Sequence, residues 1–258
     1  VNRWNVVRTQ DGSLSFAHPV HGQACHSDSG AWLESLERYA RACRLAELSL
    51  RRERVRILDV GTGLGWNLAA ALHELPPHVH VEVLCLESDP QVIRQALELH
   101  AAQGLAEQEP ARSAYGRIAP LLAQALESGQ AHDAQMRLRL LLGDARRTLA
   151  LAPEREFDAV FLDPFSPGVE GELWDWGFLA ELAQRMTEEG ILSTYTVSMG
   201  VRAGLLAAGL RLGTGPRVGR KASGTLASRS TALEPLPEAL LRKLGRRVKA
   251  RTGQDQGF

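Results

Sequence analysis

Cysteine is scarce: Cys25, Cys43 and Cys85 stand far apart in the 258 residues, with no CxxC pair and no histidine at ligand spacing. A disulfide framework and a zinc site are thereby excluded, and a reducing, cytoplasmic setting is expected. Long apolar runs are also missing. Nothing approaches the roughly 18 residues of a membrane span, and the polar opening VNRWNVVRTQDGSLSF lacks the apolar stretch of a secretory signal. An unsecreted protein without a membrane partner follows. Net charge is absent too, 30 Lys/Arg against 30 Asp/Glu, so the totals point to neither nucleic acid nor membrane.

What is present is unevenly distributed. Gly200 to Phe258 holds 12 of the Lys/Arg and only 3 of the Asp/Glu, leaving the upstream part acidic. An apolar content of 44% suffices for a sizeable core. One domain with appendages is expected: a hairpin and helix over 1–54, a core over 55–232 with a helical insertion at about 103–135, and a basic helix and tail over 233–258.

Asp11-Gly12 predicts a tight turn between two short strands. A helix should follow, with N-cap oxygens from Ser27, Asp28 or Ser29 and an apolar face of Trp32, Leu36, Ala40 and Cys43. From Val55, strand-like runs (VRILDV, VEVLCLE, MRLRLLLG, FDAVFLD, GILSTYT) alternate with helical ones at Trp66–Leu75, Pro90–Ala102, Trp176–Thr187 and Val201–Ala208. Continuous apolar strands of this kind are buried on both faces, as in a mostly parallel sheet between helices. GLRLGTG and GTLASRS would close it as an antiparallel edge pair.

The chemistry starts at ILDVGTGLGWN. Gly61, Gly63 and Gly65 follow a strand and open a helix, where backbone can approach a nucleotide-like ligand. Thr62 and Asn67 belong to the same loop. The dinucleotide fingerprint would need a glycine where Trp66 stands, which argues against a pyrophosphate. Acids end the neighbouring strands. Glu87, some 20 residues past the glycines, suits a ribose diol, while Asp144 beside Ala145 either accepts from an adenine amino group or merely caps a helix. Asp163 ends FDAVFLD. Glycines plus an acid at successive strand ends describe a site for S-adenosyl-L-methionine, in an α/β Rossmann-like class I methyltransferase fold.

After Asp163 comes a stiff loop, Pro164-Phe165-Ser166-Pro167-Gly168, suited to orienting a reacting group. With an amine acceptor, Asp163 would fix the nitrogen and stabilise the positive charge developing on it. A carboxylate also favours ammonium, which cannot attack, so a proton must leave first.

Six segments then resemble a known family: HSDSGAWLES (His26–Ser35), GTGLGWN, LLLGDA, DAVFLDPFSPGVEGELW, TYTVSMGVRAGLLAAGL and GRKASGTLAS. They are similar, in family order, to the methyltransferase half of the bacterial tRNA 5-methylaminomethyl-2-thiouridine enzyme MnmC and its stand-alone form MnmD. The resemblance implies N-methylation of an aminomethyl group on the wobble uridine in the tRNA anticodon loop, with Asp163 in the catalytic position and Pro164 beside it. The family's FLDGFAP reads FLDPFSP here. No second GxGxxG follows, so no flavin or oxidase activity is expected, and the aminomethyl substrate must be made elsewhere.

For the base, Phe165, Trp174, Trp176 and Tyr195 are stacking candidates, each with a core role as its alternative. For phosphates, Arg202, Arg217, Arg220, Lys221 and the run Arg242 to Arg251 are available. Two rivals remain open. Aminopropyl transfer uses a similar nucleoside and amine, but typically with a doubly acidic loop that DPFSP lacks; a non-catalytic nucleoside or RNA-binding module would not need Asp163.

Overall fold

The computed structural model describes residues 3–219 and 223–253. The expected hairpin is β1 (Asn5–Arg8) against β2 (Leu14–Ala17), with Arg8 opposite Leu14 and Gly12 at φ 80° in the turn. Then come α1 (Ala31–Glu34), which continues as a π-helix over Ser35–Arg41, and α2 (Leu45–Ser49). The α1 cap corrects the sequence reading: none of Ser27, Asp28 or Ser29 supplies it. Ser13 Oγ accepts from the N–H of Ala31 (3.0 Å) and Trp32 (3.2 Å), and Asp11 Oδ2 accepts from that of Leu33 (2.9 Å). The hairpin turn thus does the work of a local N-cap. Gly30 makes room for it, since a Cβ there would lie 2.1 Å from Asp11 Oδ2.

The core alternates as expected: β3 (Arg54–Val60), α3 (Trp66–Glu74), β4 (His80–Glu87), α4 (Pro90–Gln103), α5 (Ala111–Ser128), β5 (Gln130–His132), β6 (Met136–Leu142) and α6 (Ala145–Thr148). It continues with β7 (Phe157–Leu162), α7 (Trp176–Arg185), β8 (Met186–Thr194), α8 (Met199–Ala207), β9 (Arg211–Thr214), β10 (Thr225–Ser228) and α9 (Glu238–Thr252). The insertion is not purely helical, because β5 adds a short antiparallel strand beside β6.

The sheet order is β5-β6-β4-β3-β7-β8-β10-β9, parallel from β6 to β8, with β10 antiparallel to both β8 and β9. Alternate β3 residues feed opposite cores. Ile57 packs with Trp66, Leu68 and Tyr115 on one face, Leu58 with Leu179, Leu182 and Leu205 on the other. This double burial is why the strands read as unbroken apolar runs. The chain leaves β3 towards β4 on one side and returns as β7 on the other, which opens a crevice at the carboxyl ends of β3 and β7, the usual ligand position in such sheets. No described helix is long and apolar enough to cross a membrane.

Candidate active site

A cavity of about 420 Å³ occupies that crevice, a size suited to a nucleoside-sized ligand. Gly61, Thr62, Gly63 and Asn67 line it, together with Glu87, Asp144 and Ala145 from the neighbouring strand ends. Asp163, Pro164, Phe165 and Tyr195 complete the opposite wall. Those expected residues are brought together.

The glycines divide the labour. At Gly61 (φ 83°) a Cβ would lie 2.9 Å from the carbonyl oxygen of Asp163, so this glycine permits the loops after β3 and β7 to touch. Gly63 (φ 55°) donates its N–H to Glu87 Oε2 at 2.8 Å. Gly65 departs from the expected cradle role and does not line the cavity. A Cβ on it would meet Leu122 Cδ1 at 2.5 Å, so it is a helix-packing residue beneath α5. Trp66 turns into the core and donates from Nε1 to the Leu14 carbonyl at 2.9 Å.

Glu87 Oε1 also accepts from the N–H of Asp89 at 2.9 Å; burial raises the Glu87 carboxyl, with these two N–H groups in opposition. Asp144 caps α6 through the N–H of Arg146 (3.0 Å) and pairs with the Arg146 guanidinium (2.6 Å), whose hydrogen bonds hold it below the ordinary range. The capping alternative is therefore realised, on the cavity wall.

Asp163 is the chemical centre. Tyr39 Oη donates to its Oδ1 at 2.5 Å and Asn67 Nδ2 to its Oδ2 at 3.1 Å. Burial pushes the Asp163 carboxyl up to about 8, against the pull of the Tyr39 hydrogen bond. Nearby, burial lifts Asp59 to about 7. The Thr62 and Asn67 side chains, beside Asp59, oppose that rise, and both residues line the cavity. The glycine loop, the Glu87 carboxyl and Asp163, whose hydrogen-bond donors are both neutral, fit a nucleoside bearing hydroxyls and a cationic centre.

The loop after Asp163 is braced from within. Phe165 donates its N–H to Glu170 Oε2 (2.7 Å), its carbonyl accepts from Trp174 Nε1 (2.7 Å), and its ring stacks on Trp4 at 5.9 Å. Tyr195 Oη donates to the Pro164 carbonyl at 2.9 Å. Trp174 corrects the sequence reading. It is 5% exposed, packs edge-on to Tyr195 and lies outside the cavity lining, so it shapes the loop instead of stacking on a base.

Arg202 is corrected likewise: buried, it donates from Nε to Thr225 Oγ1 at 2.8 Å and is unavailable to phosphate. Arg217 is exposed; Arg220 and Lys221 lie outside the described residues. Sequence reasoning missed Tyr39, Glu34, Glu170 and Gln23. Glu34 lies within a segment that carried the resemblance, but Tyr39, seven residues after Trp32 and three after Leu36, shares their apolar helical face and so reads as one more core aromatic.

The crevice, the glycine loop and the acid at the end of β7 are those of a class I S-adenosylmethionine-dependent methyltransferase. A sequence profile for a family described as S-adenosyl-L-methionine-dependent methyltransferase matches residues 107–230. Among solved structures, MNMC2 from Aquifex aeolicus is 34% identical, with a TM-score of 0.79 over 95% of this chain and 76% of that one. The bifunctional tRNA 5-methylaminomethyl-2-thiouridine biosynthesis protein MnmC of Paracidovorax citrulli is 30% identical over 85% of this chain and 35% of its own length. An uncharacterized protein of Methanocaldococcus jannaschii is 27% identical over 89% of this chain, which spans 61% of that relative. The chain belongs to the MnmC methyltransferase family and uses S-adenosylmethionine.

Proposed function

We propose that this protein methylates the aminomethyl nitrogen on the wobble uridine of tRNA, converting 5-aminomethyl-(2-thio)uridine to 5-methylaminomethyl-(2-thio)uridine. The observation that carries the reading is Asp163: a partly buried carboxylate with two neutral donors, at the end of β7, in a cavity also lined by Glu87, Asp89 and Glu170. Such a wall favours cationic groups. When bound, S-adenosylmethionine supplies a methyl on a sulfonium, so that an amine lone pair forms the new C–N bond while the C–S electron pair stays on sulfur. Gly61, Thr62, Gly63, Asn67, Glu87, Asp144 and Ala145 would hold it, with Glu87 towards the ribose.

Asp163 receives the N–H of the acceptor and balances the positive charge that grows on nitrogen, an interaction stronger in the transition state than before it. Its raised proton affinity also suits it to take the proton that an ammonium must lose before attack. Tyr195 and Phe165, on the cavity wall, are the aromatic faces for the base. A wobble base is already single-stranded, so presenting it avoids the cost of opening a duplex.

The partner is the tRNA anticodon loop. Helix α9 buries Leu244 and Val248 and exposes Arg242, Lys243, Arg246 and Arg247. Its far end reaches the site's side of the molecule. The Arg251 guanidinium lies 4.4 Å above the Trp176 ring, and Trp176 Nε1 donates to the Gly200 carbonyl at 3.0 Å, five residues beyond Tyr195. Exposed cations there suit phosphates along an RNA strand.

The test is incubation of the protein and methyl-labelled cofactor with tRNA from a strain lacking the modification, followed by nucleoside mass spectrometry. Label in 5-methylaminomethyl-(2-thio)uridine is expected. No labelled nucleoside overturns the reading, and an aminopropyl product from the decarboxylated cofactor would replace it with the polyamine-type reaction.

A further inference from the structure

The one π-helical stretch among the described residues, Ser35–Arg41, lies directly behind Asp163. In an α-helix, residues five apart are rotated by about 140° about the axis, so Glu34 and Tyr39 would face different ways. The i→i+5 hydrogen bonding of a π turn brings them to one side, a distortion common at functional sites. Here Glu34 reaches the cavity wall and Tyr39 reaches Asp163. Arg38, fully buried, sets its Nε 3.2 Å from Glu34 Oε1 and so balances that carboxylate. The Tyr39 side chain is itself buried, with the Phe161 ring 5.6 Å away, so its hydroxyl is held in place.

A carboxylate oxygen accepts about two hydrogen bonds. With Tyr39 on Oδ1 and Asn67 on Oδ2, each oxygen keeps one acceptor position, and Asp163 lines the cavity. We propose that Tyr39 is a positioning residue for the transfer, its hydroxyl clamping Oδ1 so that the remaining lone pairs of Asp163 meet the hydrogens of the acceptor amine; this role rests on the amine methylation reading. A neutral donor serves better here than a cation. Arginine would neutralise the carboxylate and weaken its hold on the charge developing at nitrogen, whereas a phenol orients it and leaves the charge in place.

Tyr39→Phe removes the hydroxyl and little else. Turnover on tRNA should fall about tenfold or more, the scale of one hydrogen bond to a charged group, while cofactor affinity and KM for tRNA stay nearly unchanged. Because the lost bond favours the ionised carboxyl, the acidic limb of kcat/KM should move to higher pH, and adding Tyr39→Phe to Asp163→Asn should cost little further. A purely structural tyrosine would lower the melting temperature without moving that limb. Turnover within twofold of wild type on an unshifted limb, or an equal loss in cofactor affinity, overturns the proposal.

A substrate-free readout separates the two claims. In 13C NMR, with the Asp163 carboxyl assigned through Asp163→Asn, the titration midpoint should rise in Tyr39→Phe and fall when 3-fluorotyrosine, a stronger donor, replaces Tyr39. An unmoved midpoint in both sinks the Tyr39 role whatever the substrate. Wild-type protein that leaves tRNA unmethylated sinks only the function reading. The fluorinated variant keeps the side-chain frame, so the test stands even where Tyr39→Phe folds poorly.

Discussion

The two ends of the central sheet treat carboxylates in opposite ways. At the amino end, Arg52 Nη1 lies 2.5 Å from Asp158 Oδ1, and Arg56 Nε lies 2.8 Å from Glu82 Oε2. At the carboxyl end, Asp59, Glu87 and Asp163 have no cationic partner among the described residues. Glu87 accepts backbone N–H groups, Asp163 a phenol and an amide, and Asp59 has only the neutral Thr62 and Asn67 side chains beside it. The same strands supply both ends: β3 carries Arg56 and Asp59, and β4 carries Glu82 and Glu87. Arg56 holds Glu82 below the usual carboxylate range, whereas burial raises all three acids at the far end. Asp158 is also raised by burial, although Arg52 and Arg56 oppose it. The amino end neutralises its charges internally and stabilises the fold. The carboxyl end pairs Asp144 with Arg146 but leaves Asp59, Glu87 and Asp163 without a cation among the described residues, as suits a cationic ligand.

If that division is right, variants at the two ends should separate activity from stability. The largest effect is expected for Asp163→Asn: turnover falls by about 10² or more with cofactor affinity nearly unchanged, as for other preorganised transition-state contacts. Single-turnover kinetics and titration calorimetry check this, and equal losses in both would remove Asp163 from the transition state. The same variant should be more stable than wild type at high pH. The native Asp163 carboxyl holds its proton up to about 8 while the unfolded one releases it near 4, so its contribution is full below about pH 4 and is lost as pH rises through 8. Denaturation at pH 5 and 9 should show the advantage of Asp163→Asn growing with pH.

Next is Asp158→Ala, at the other end. Removing a buried acceptor of the Arg52 side chain and the Arg56 N–H should cost roughly 1–3 kcal/mol of stability, with kcat and KM of the folded enzyme unchanged. Altered kinetics at full occupancy would show that the two ends are coupled. Glu87→Ala should weaken cofactor binding about tenfold, the scale of one or two lost hydrogen bonds, and unchanged calorimetry would refute its ribose assignment. The smallest effect is expected outside the sheet: Arg246→Glu with Arg247→Glu should weaken tRNA binding severalfold and flatten its salt dependence. An unaltered salt slope would put the RNA on another surface.

Much of the site could be read directly because it is built at strand ends. A period change from apolar run to glycine loop locates Gly61 and Gly63, and the acids that close successive strands fall together once the strands are parallel. The errors share a different cause. Trp174 and Arg202 carry groups that suit recognition equally well inside or outside a core, and only their neighbours decide. The cap of α1 comes from a turn 18 to 22 residues earlier, beyond any local capping rule. Gly65 has the spacing of a ligand loop but is required by Leu122, which lies in the insertion.

Local chemistry in the chain, its apolar runs, glycines and terminal acids, determined the doubly covered sheet and the edge on which a nucleoside would lie, because those features depend on neighbours a few residues apart. Tertiary structure alone decided what addresses the key acid. Tyr39 and Asp163 are 124 residues apart, and they meet because a π turn rotates a buried phenol towards the end of β7 while the sheet order brings that strand beside the glycine loop.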